Sequence, residues 1–354
     1  MVQLALFSTV LVAALASVGT AHPGHNVQEE ALERREFLKN NVRSIDTCAS
    51  HLNTRGHAQR SLERRQKLAE ELRRKRAIAS LPYLKARDVD TVLNTSHLSN
   101  VTGYLTSDGQ IDESVLFSDN TSCVLQPDVT QGPYYVSGEL IRRNITEGIG
   151  GVPLTIDIQL VDTSTCEPVP NIYLDFWHCN ATGVYSGIVE SGNGNSGDSA
   201  NINSTFLRGI QESDSDGVVQ FDSIMPGHYL SRTNHIHILA HSPNASTVYP
   251  NNTLGTNQLT ATHVGQLFFD QDLITQFEAA EPYATNTQEV TENADDSILA
   301  EEADTSDPIV EYVLLGDSIE DGVLAWITIG INVTETSTVN AAAYYGENGG
   351  VADE

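Results

Sequence analysis

The stretch Pro226-Gly227-His228-Tyr229-Leu230-Ser231-Arg232-Thr233-Asn234-His235-Ile236-His237-Ile238-Leu239 decides how the chain is read. From His235 onward polar and apolar residues alternate with period two, the pattern of a strand that buries one face in a core. Both imidazoles then share one face, and Ile236 and Ile238 share the other. Two histidines two apart on a strand can hold one metal ion, but the spacing alone fits two buried structural histidines equally well. Tyr229 lies six residues before His235, past a Pro-Gly turn, with Arg232 between them. That arginine stands out because only four basic residues follow Arg87: Arg142, Arg143, Arg208 and Arg232.

Working outward, the chain from Cys123 on reads as mainly β. Leu154 to Val161 alternates, a turn occupies Thr163 to Pro170, and Ile172 to His178 follows as the next strand of a hairpin. Gly217 to Phe221, Val264 to Phe269, Ile309 to Leu315 and Val323 to Ile331 are further strand candidates between Gly, Asn, Asp and Ser turns. The spacing predicts one β-sandwich domain over 123–334, large enough for its own core. The Gly- and Asn-rich run after Glu190 reads as a surface loop. The acidic stretch 289–307 reads as a mobile insertion, and 335–354 as a flexible tail.

The N-terminal part differs in kind. Residues 1–21 carry a short apolar run ending in small residues, the pattern of a secretory signal peptide, although the usual positive n-region is missing. Nine Asn-x-Ser/Thr sequons, at Asn94, Asn100, Asn120, Asn144, Asn180, Asn203, Asn244, Asn251 and Asn332, suit a secreted, extracellular glycoprotein. Four cysteines, Cys48, Cys123, Cys166 and Cys179, are compatible with two disulfides in an oxidising compartment. Cys166 and Cys179 sit at opposite ends of one extended strand, too far apart to pair with each other. They are expected to pair with Cys48 and Cys123 in some order, or to stay free.

The formal charge of −28 is unevenly distributed: fifteen of the nineteen Lys and Arg lie between Arg34 and Arg87. Residues 22–87 form a basic helical arm or a pro-region, with Glu63/Lys67, Glu70/Arg74 and Glu71/Lys75 as favourable pairs one turn apart. Leu62, Ala69 and Leu72 line another face. Such an arm could mediate a homodimer, or be a solvated, salt-bridged helix pair, and Arg73-Arg74-Lys75-Arg76 resembles a processing site. Residues 88–122 read as a linker. The acidity of the remainder argues against a nucleic-acid partner, and no apolar run after the signal segment is long enough for a membrane helix.

A second tyrosine motif, Trp177-His178-Cys179-Asn180-Ala181-Thr182-Gly183-Val184-Tyr185-Ser186-Gly187, ends a strand and presents Tyr185 from a glycine turn. Tyr185, Tyr229, His235 and His237 together offer two phenolate and two imidazole ligands. A phenol titrates near 10 in water, so only a strongly acidic cation holds two phenolates at neutral pH. Such oxyanion ligands suit Fe(III) better than zinc. A copper oxidase with the same four ligands, and a non-catalytic extracellular β-sandwich binding module, are the competing readings.

With Gly132-Pro133-Tyr134-Tyr135 and the segment 207–221 (LRGIQESDSDGVVQF) added, four ordered motifs between about Cys123 and Asp270 resemble the intradiol ring-cleavage dioxygenases, specifically the extracellular fungal type. The resemblance implies one non-haem Fe(III) per chain, held by Tyr185, Tyr229, His235 and His237. It implies a catechol-type substrate and O2, with cleavage between the two hydroxylated carbons to a muconate-type diacid. Tyr185 would stay on the metal, and Tyr229 would leave it when substrate binds, taking a substrate proton. Arg232 and Gln266 would line the reaction pocket, and Gly132, Pro133, Tyr134 and Tyr135 would wall the substrate. His178 and His228 are read as structural, Trp177 as core, and Arg208 as a tether of its own turn.

Overall fold

The computed structural model describes residues 48, 56–78, 117, 122–124, 132–256, 260–261, 263–303, 307–334, 337–346 and 349–352. The expected signal segment, most of the 88–122 linker and the sequons at Asn94, Asn100 and Asn120 lie outside the described residues. In chain order the regular elements are α1 (His57–Lys75), β1 (Ser122–Val124), β2 (Val136–Ser137), β3 (Pro153–Asp162), β4 (Tyr173–Trp177), β5 (Arg208–Glu212), β6 (Val218–Ile224), β7 (His235–His241), β8 (Ser246–Val248), β9 (Leu254–Thr256), β10 (Thr260–Ala261), β11 (His263–Phe268), α2 (Gln271–Glu278), α3 (Ser297–Ala303), β12 (Glu311–Leu314), β13 (Val323–Ile331), β14 (Ser337–Thr338), β15 (Ala343–Gly346) and β16 (Gly349–Ala352).

Two sheets make the sandwich. In the first, β13 lies beside β3 and β3 beside β6, while β1 and β12 share the other edge of β13. The second runs β11-β7-β4-β5, antiparallel throughout. Ile156, Ile158 and Leu160 of β3 and Ile327 and Ile329 of β13 meet Leu174 and Phe176 of β4 and Ile236 and Ile238 of β7 in one core. β13 is apolar almost throughout because both its faces are covered: Leu324 and Trp326 point away from that core, under α1.

The turn over 163–170 is real, but it does not make a hairpin. β3 lies in one sheet and β4 in the other, so the chain crosses the sandwich between them. Cys166 therefore sits just past the end of β3 and bonds Cys48 across 118 residues of sequence. Cys179 is a buried free thiol, and the side chain of Cys123 lies outside the described residues.

α1 is helical because its buried positions, Ser61, Leu62, Arg65, Leu68, Ala69, Leu72 and Arg73, recur every three to four residues. The expected arm is thus a helix laid on the first sheet, against Val313, Leu315, Leu324, Trp326 and Phe117. Each of its three buried leucines contributes about 1.5–3 kcal/mol. Arg64 grips Asp157 through both carboxylate oxygens at 2.8 Å, and Ser61 donates to Gln159 at 2.9 Å. The basic run after Leu72 is partly built into this packing. Arg73 donates to the Leu315 carbonyl and Arg76 to that of Asp321, both at 2.8 Å. The apolar face of the helix is used within the chain, so a solvated helix pair does not describe it, and a homodimer through the arm would have to use its charged face.

Two segments expected to be loose are packed instead. In the acidic stretch 289–307, α3 buries Ile298 and Leu299 against Phe268 and Ile309, and Asp296 is wholly buried. The tail 335–354 carries β14, β15 and β16, and buries Val339, Ala341 and Ala343. β15 pairs with β2, and this small sheet covers the outer face of the second large sheet. Among the described residues no helix is long and apolar enough to cross a membrane.

Candidate metal centre

Period-two alternation in β7 sends Ile236 and Ile238 into the core and His235 and His237 to the outer face of the second sheet. There His237 stands opposite Trp177 of β4 and Gln266 of β11. The indole stacks on the imidazole, with centroids 5.0 Å apart and planes 7° from parallel. Trp177, read as core, is therefore the support of His237. On its other flank lies Gly132 (φ +77°), where a Cβ would come within 2.8 Å of the His237 ring. His235 is oriented by a 2.6 Å contact from Nδ1 to the Thr233 carbonyl. A carbonyl can only accept, so Nδ1 carries the proton and Nε2 keeps its lone pair.

The four expected ligands converge. His235 Nε2 and His237 Nε2 are 3.1 Å apart, His237 Nε2 is 3.2 Å from Tyr185 Oη, and Tyr229 Oη is 3.3 Å from His235 Nε2. Donor atoms held about 2.1 Å from one ion lie roughly 3 Å from each other, so these spacings fit a single central cation. Among the described residues no cluster of three or more His, Cys, Asp or Glu could hold a metal, so an ion at this point depends on the tyrosines.

Burial pushes the Tyr185 hydroxyl well above its ordinary value. It also raises Tyr229 to about 12, even though the Arg232 guanidinium pulls the other way. Neither phenol ionises unaided near neutral pH. A trivalent ion accounts for two phenolates and two neutral imidazoles in an apolar setting, and the residues present fit it.

Tyr185 is locked by the loop that follows it. Asn193 accepts from the Tyr185 N–H at 2.7 Å and donates to its carbonyl at 2.8 Å, and Asn201 donates to the same carbonyl at 2.8 Å. The run read as a surface loop is pinned by two buried asparagine side chains that satisfy backbone groups. Tyr229 and Arg232 close a tight turn, with Ser231 in the left-handed region (φ 69°) and Leu230 64 % exposed at the tip. Tyr229 is 8 % exposed and Tyr185 0 %, so the former lies on the solvent side of the site.

Arg232 is fully buried beside the donors. It donates from Nε to Asp296 at 2.8 Å and from a terminal nitrogen to Gln266 Oε1 at 2.6 Å. Asp296 also accepts from the Thr233 N–H, and its other oxygen accepts from the N–H groups of Ile298 and Leu299 at the start of α3. Burial alone would raise the Asp296 carboxyl, but the Arg232 guanidinium beside it holds it below the usual carboxylate range.

The Gly132–Tyr135 segment divides. The Tyr134 ring lies 5.0 Å from that of Tyr185 and 6.4 Å from that of Tyr229, so it walls the site. Pro133 is half-buried between its neighbours. Tyr135 instead turns inward to Trp177 and His241, away from the expected substrate wall. Arg208 is likewise not the tether of its own turn. It is buried and donates to the carbonyls of Ser186 and Tyr134, each at 2.8 Å, joining the Tyr185 loop to the Tyr134 wall. Glu139 lies 3.9 Å from it.

His178 bonds the Cys179 carbonyl and Ser223, and burial lowers it to about 4. His228 bonds Glu278 and the Gln288 carbonyl. Both have structural roles. Sequence reasoning missed Asp296, Asn193 and Asn201: each lies in a polar or acidic stretch with no periodicity, and Asp296 meets Arg232 across 64 residues.

The family model described as Dioxygenase matches residues 130–281. Among solved structures, an intradiol ring-cleavage dioxygenase from Tetranychus urticae is 27% identical, covering 62% of this chain and 98% of its own, with a TM-score of 0.49. The dioxygenase domain of a carbohydrate-binding fusion protein from Streptomyces sp. SirexAA-E is 22% identical, covering 60% and 97%, with a TM-score of 0.36. A hydroxyquinol 1,2-dioxygenase from Pseudomonas putida DLL-E4 is 17% identical, covering 59% and 66%, with a TM-score of 0.34. No curated protein matches the chain. The residues that the dioxygenase model matches, 130–281, hold all four candidate ligands together with Arg232 and Gln266.

Proposed function

We propose that this protein is a secreted enzyme that uses one non-haem Fe(III) per chain to cleave catechol-type rings with O2 between the two hydroxylated carbons, giving muconate-type diacids. The observation that carries the reading is the convergence of Tyr185, Tyr229, His235 and His237, linked in series by contacts of 3.1–3.3 Å. Bound Fe(III) would supply the Lewis acidity that keeps both phenols ionised and favours binding of a catechol through its oxygens.

The chain's own residues do the rest. Tyr229, on the solvent side, accepts a proton from a catechol hydroxyl at its Oη as substrate enters. Tyr185, His235 and His237 stay in place, held by Asn193, the Thr233 carbonyl and Trp177. Arg232, oriented by Asp296 and Gln266, puts a fixed positive charge where the ring gains electron density as oxygen attacks. The apolar cluster of Tyr134, Val136, Ile188, Val264, Val339 and Ala341 keeps bulk water out, which strengthens these interactions.

Secretion is supported by the Cys48–Cys166 disulfide and by the sequons. At Asn144, Asn180, Asn251 and Asn332 the threonine hydroxyl two residues on donates to the asparagine Oδ1. The test is metal content, visible spectrum and oxygen uptake with catechol for protein secreted from a eukaryotic host. The expected result is one iron per chain, a ligand-to-metal charge-transfer band and stoichiometric oxygen consumption. A colourless protein carrying zinc or copper and inert toward catechols would overturn the proposal.

A further inference from the structure

Between residues 88 and 354 the chain holds four cationic side chains other than histidine, and the structure accounts for each. Arg142 pairs with Glu147, and Arg143 with Asp222 and Gln220. Arg208 is spent on the Ser186 and Tyr134 carbonyls. Arg232, the one beside the candidate ligands, is committed to Asp296 and Gln266 and has no exposed surface. The remaining described cations belong to α1 or, as Arg76, directly follow it, and α1 lies on the outer face of the first sheet, on the far side of the sandwich from the site. Among the described residues, a substrate carboxylate would therefore find no available counter-charge at the mouth.

It would instead meet a carboxylate. Glu190 is exposed on the loop that leaves Tyr185, and its place there is built. Its N–H donates to Asn195 Oδ1, and its carbonyl accepts from the N–H of Asn193, the residue that also pins Tyr185. A Cβ on Gly192 would lie 2.7 Å from Tyr134 Oη and 3.9 Å from Glu190 Oε2, so the two side chains face the same narrow gap. Tyr134 in turn walls the site beside Tyr185 and Tyr229. Two like charges a few ångströms apart repel even in water, enough to shift the choice between substrates.

Resting on the dioxygenase reading above, we propose that the site accepts catechols whose ring substituents are uncharged and rejects ring carboxylates, with Glu190 as the specificity-determining residue at its mouth. The test compares 4-methylcatechol with 3,4-dihydroxybenzoate, which share a ring and a substitution position and differ in charge. In the iron-loaded enzyme, kcat/KM by oxygen uptake favours the methyl compound at least tenfold. Anaerobic calorimetry shows the same order in Kd. Higher salt narrows the gap, as screening requires. Glu190→Gln shrinks the ratio severalfold, and Glu190→Lys shrinks it further or reverses it. A wild-type ratio within threefold of unity overturns the inference while leaving the dioxygenase reading intact, as does a ratio that neither variant moves. If iron-loaded protein consumes no oxygen with either compound, the dioxygenase reading fails and takes this inference with it.

Discussion

Arg232 and Asp296 form an ion pair of 2.8 Å in which neither side chain has any solvent exposure, and Asp296 comes from an acidic segment 64 residues further along the chain. The pair joins that segment to the candidate reaction centre, because the second Asp296 oxygen caps α3. Removing one partner of such a pair leaves a buried charge uncompensated, at a cost of about 3–5 kcal/mol. Asp296→Asn is therefore expected to lower Tm markedly and to reduce kcat, while the iron content stays at one per chain. A variant with wild-type Tm and kcat would show that the pair positions nothing.

The two tyrosines should separate by role. Tyr229→Phe removes the group on the solvent side and, with it, the base for the substrate proton. Iron should still bind through Tyr185, His235 and His237, and turnover should fall about 10²–10⁴-fold, the usual worth of positioned proton transfer. Tyr185→Phe should weaken iron retention itself. Metal analysis and single-turnover cleavage of catechol check both. Full iron in Tyr185→Phe with loss of iron in Tyr229→Phe would invert the assignment.

Glu139 makes stability depend on pH. It is buried, neither of its carboxylate oxygens has a hydrogen-bond partner among the described residues, and burial pushes it up to about 8, against the pull of Arg208. A folded-state pKa raised above the unfolded value means that the folded chain binds the extra proton. The contribution is therefore fully present below about pH 4.5 and is lost as pH rises through about 8. The loss proceeds at up to about 1.4 kcal/mol per pH unit. Glu139→Gln should flatten that slope in denaturant titrations between pH 5 and 8, and an unchanged slope would show that another group is responsible.

The arm is held covalently and by packing. Cys48→Ser should cost about 2–5 kcal/mol, and Leu72→Ala a similar amount through the cavity left under α1. Cleavage anywhere between Cys48 and Cys166, the basic run at Arg73–Arg76 included, should leave two fragments that separate on a gel only after reduction. Separation without reductant would show that the bond does not form.

What the sequence determined by itself is what depends on short-range periodicity and on side-chain chemistry. The alternation His235-Ile236-His237-Ile238 requires one polar and one apolar strand face whatever the rest of the chain does, and the sandwich bears this out. Two phenols and two imidazoles in ordered motifs restricted the candidate chemistry before any distance was known. Tertiary structure decided what depends on contacts remote in sequence. The turn at 163–170 could join paired strands or cross between sheets, since the local chain is the same in both cases, and it crosses. Leu62, Ala69 and Leu72 made an amphipathic stripe, but only Leu324 and Trp326 on the outer face of β13 could say what would cover it. An acidic run such as 289–307 is solvated by default, because isolated carboxylates resist burial. Asp296 escapes that default only because Arg232 waits for it inside, and nothing within a few residues of either one records the pairing.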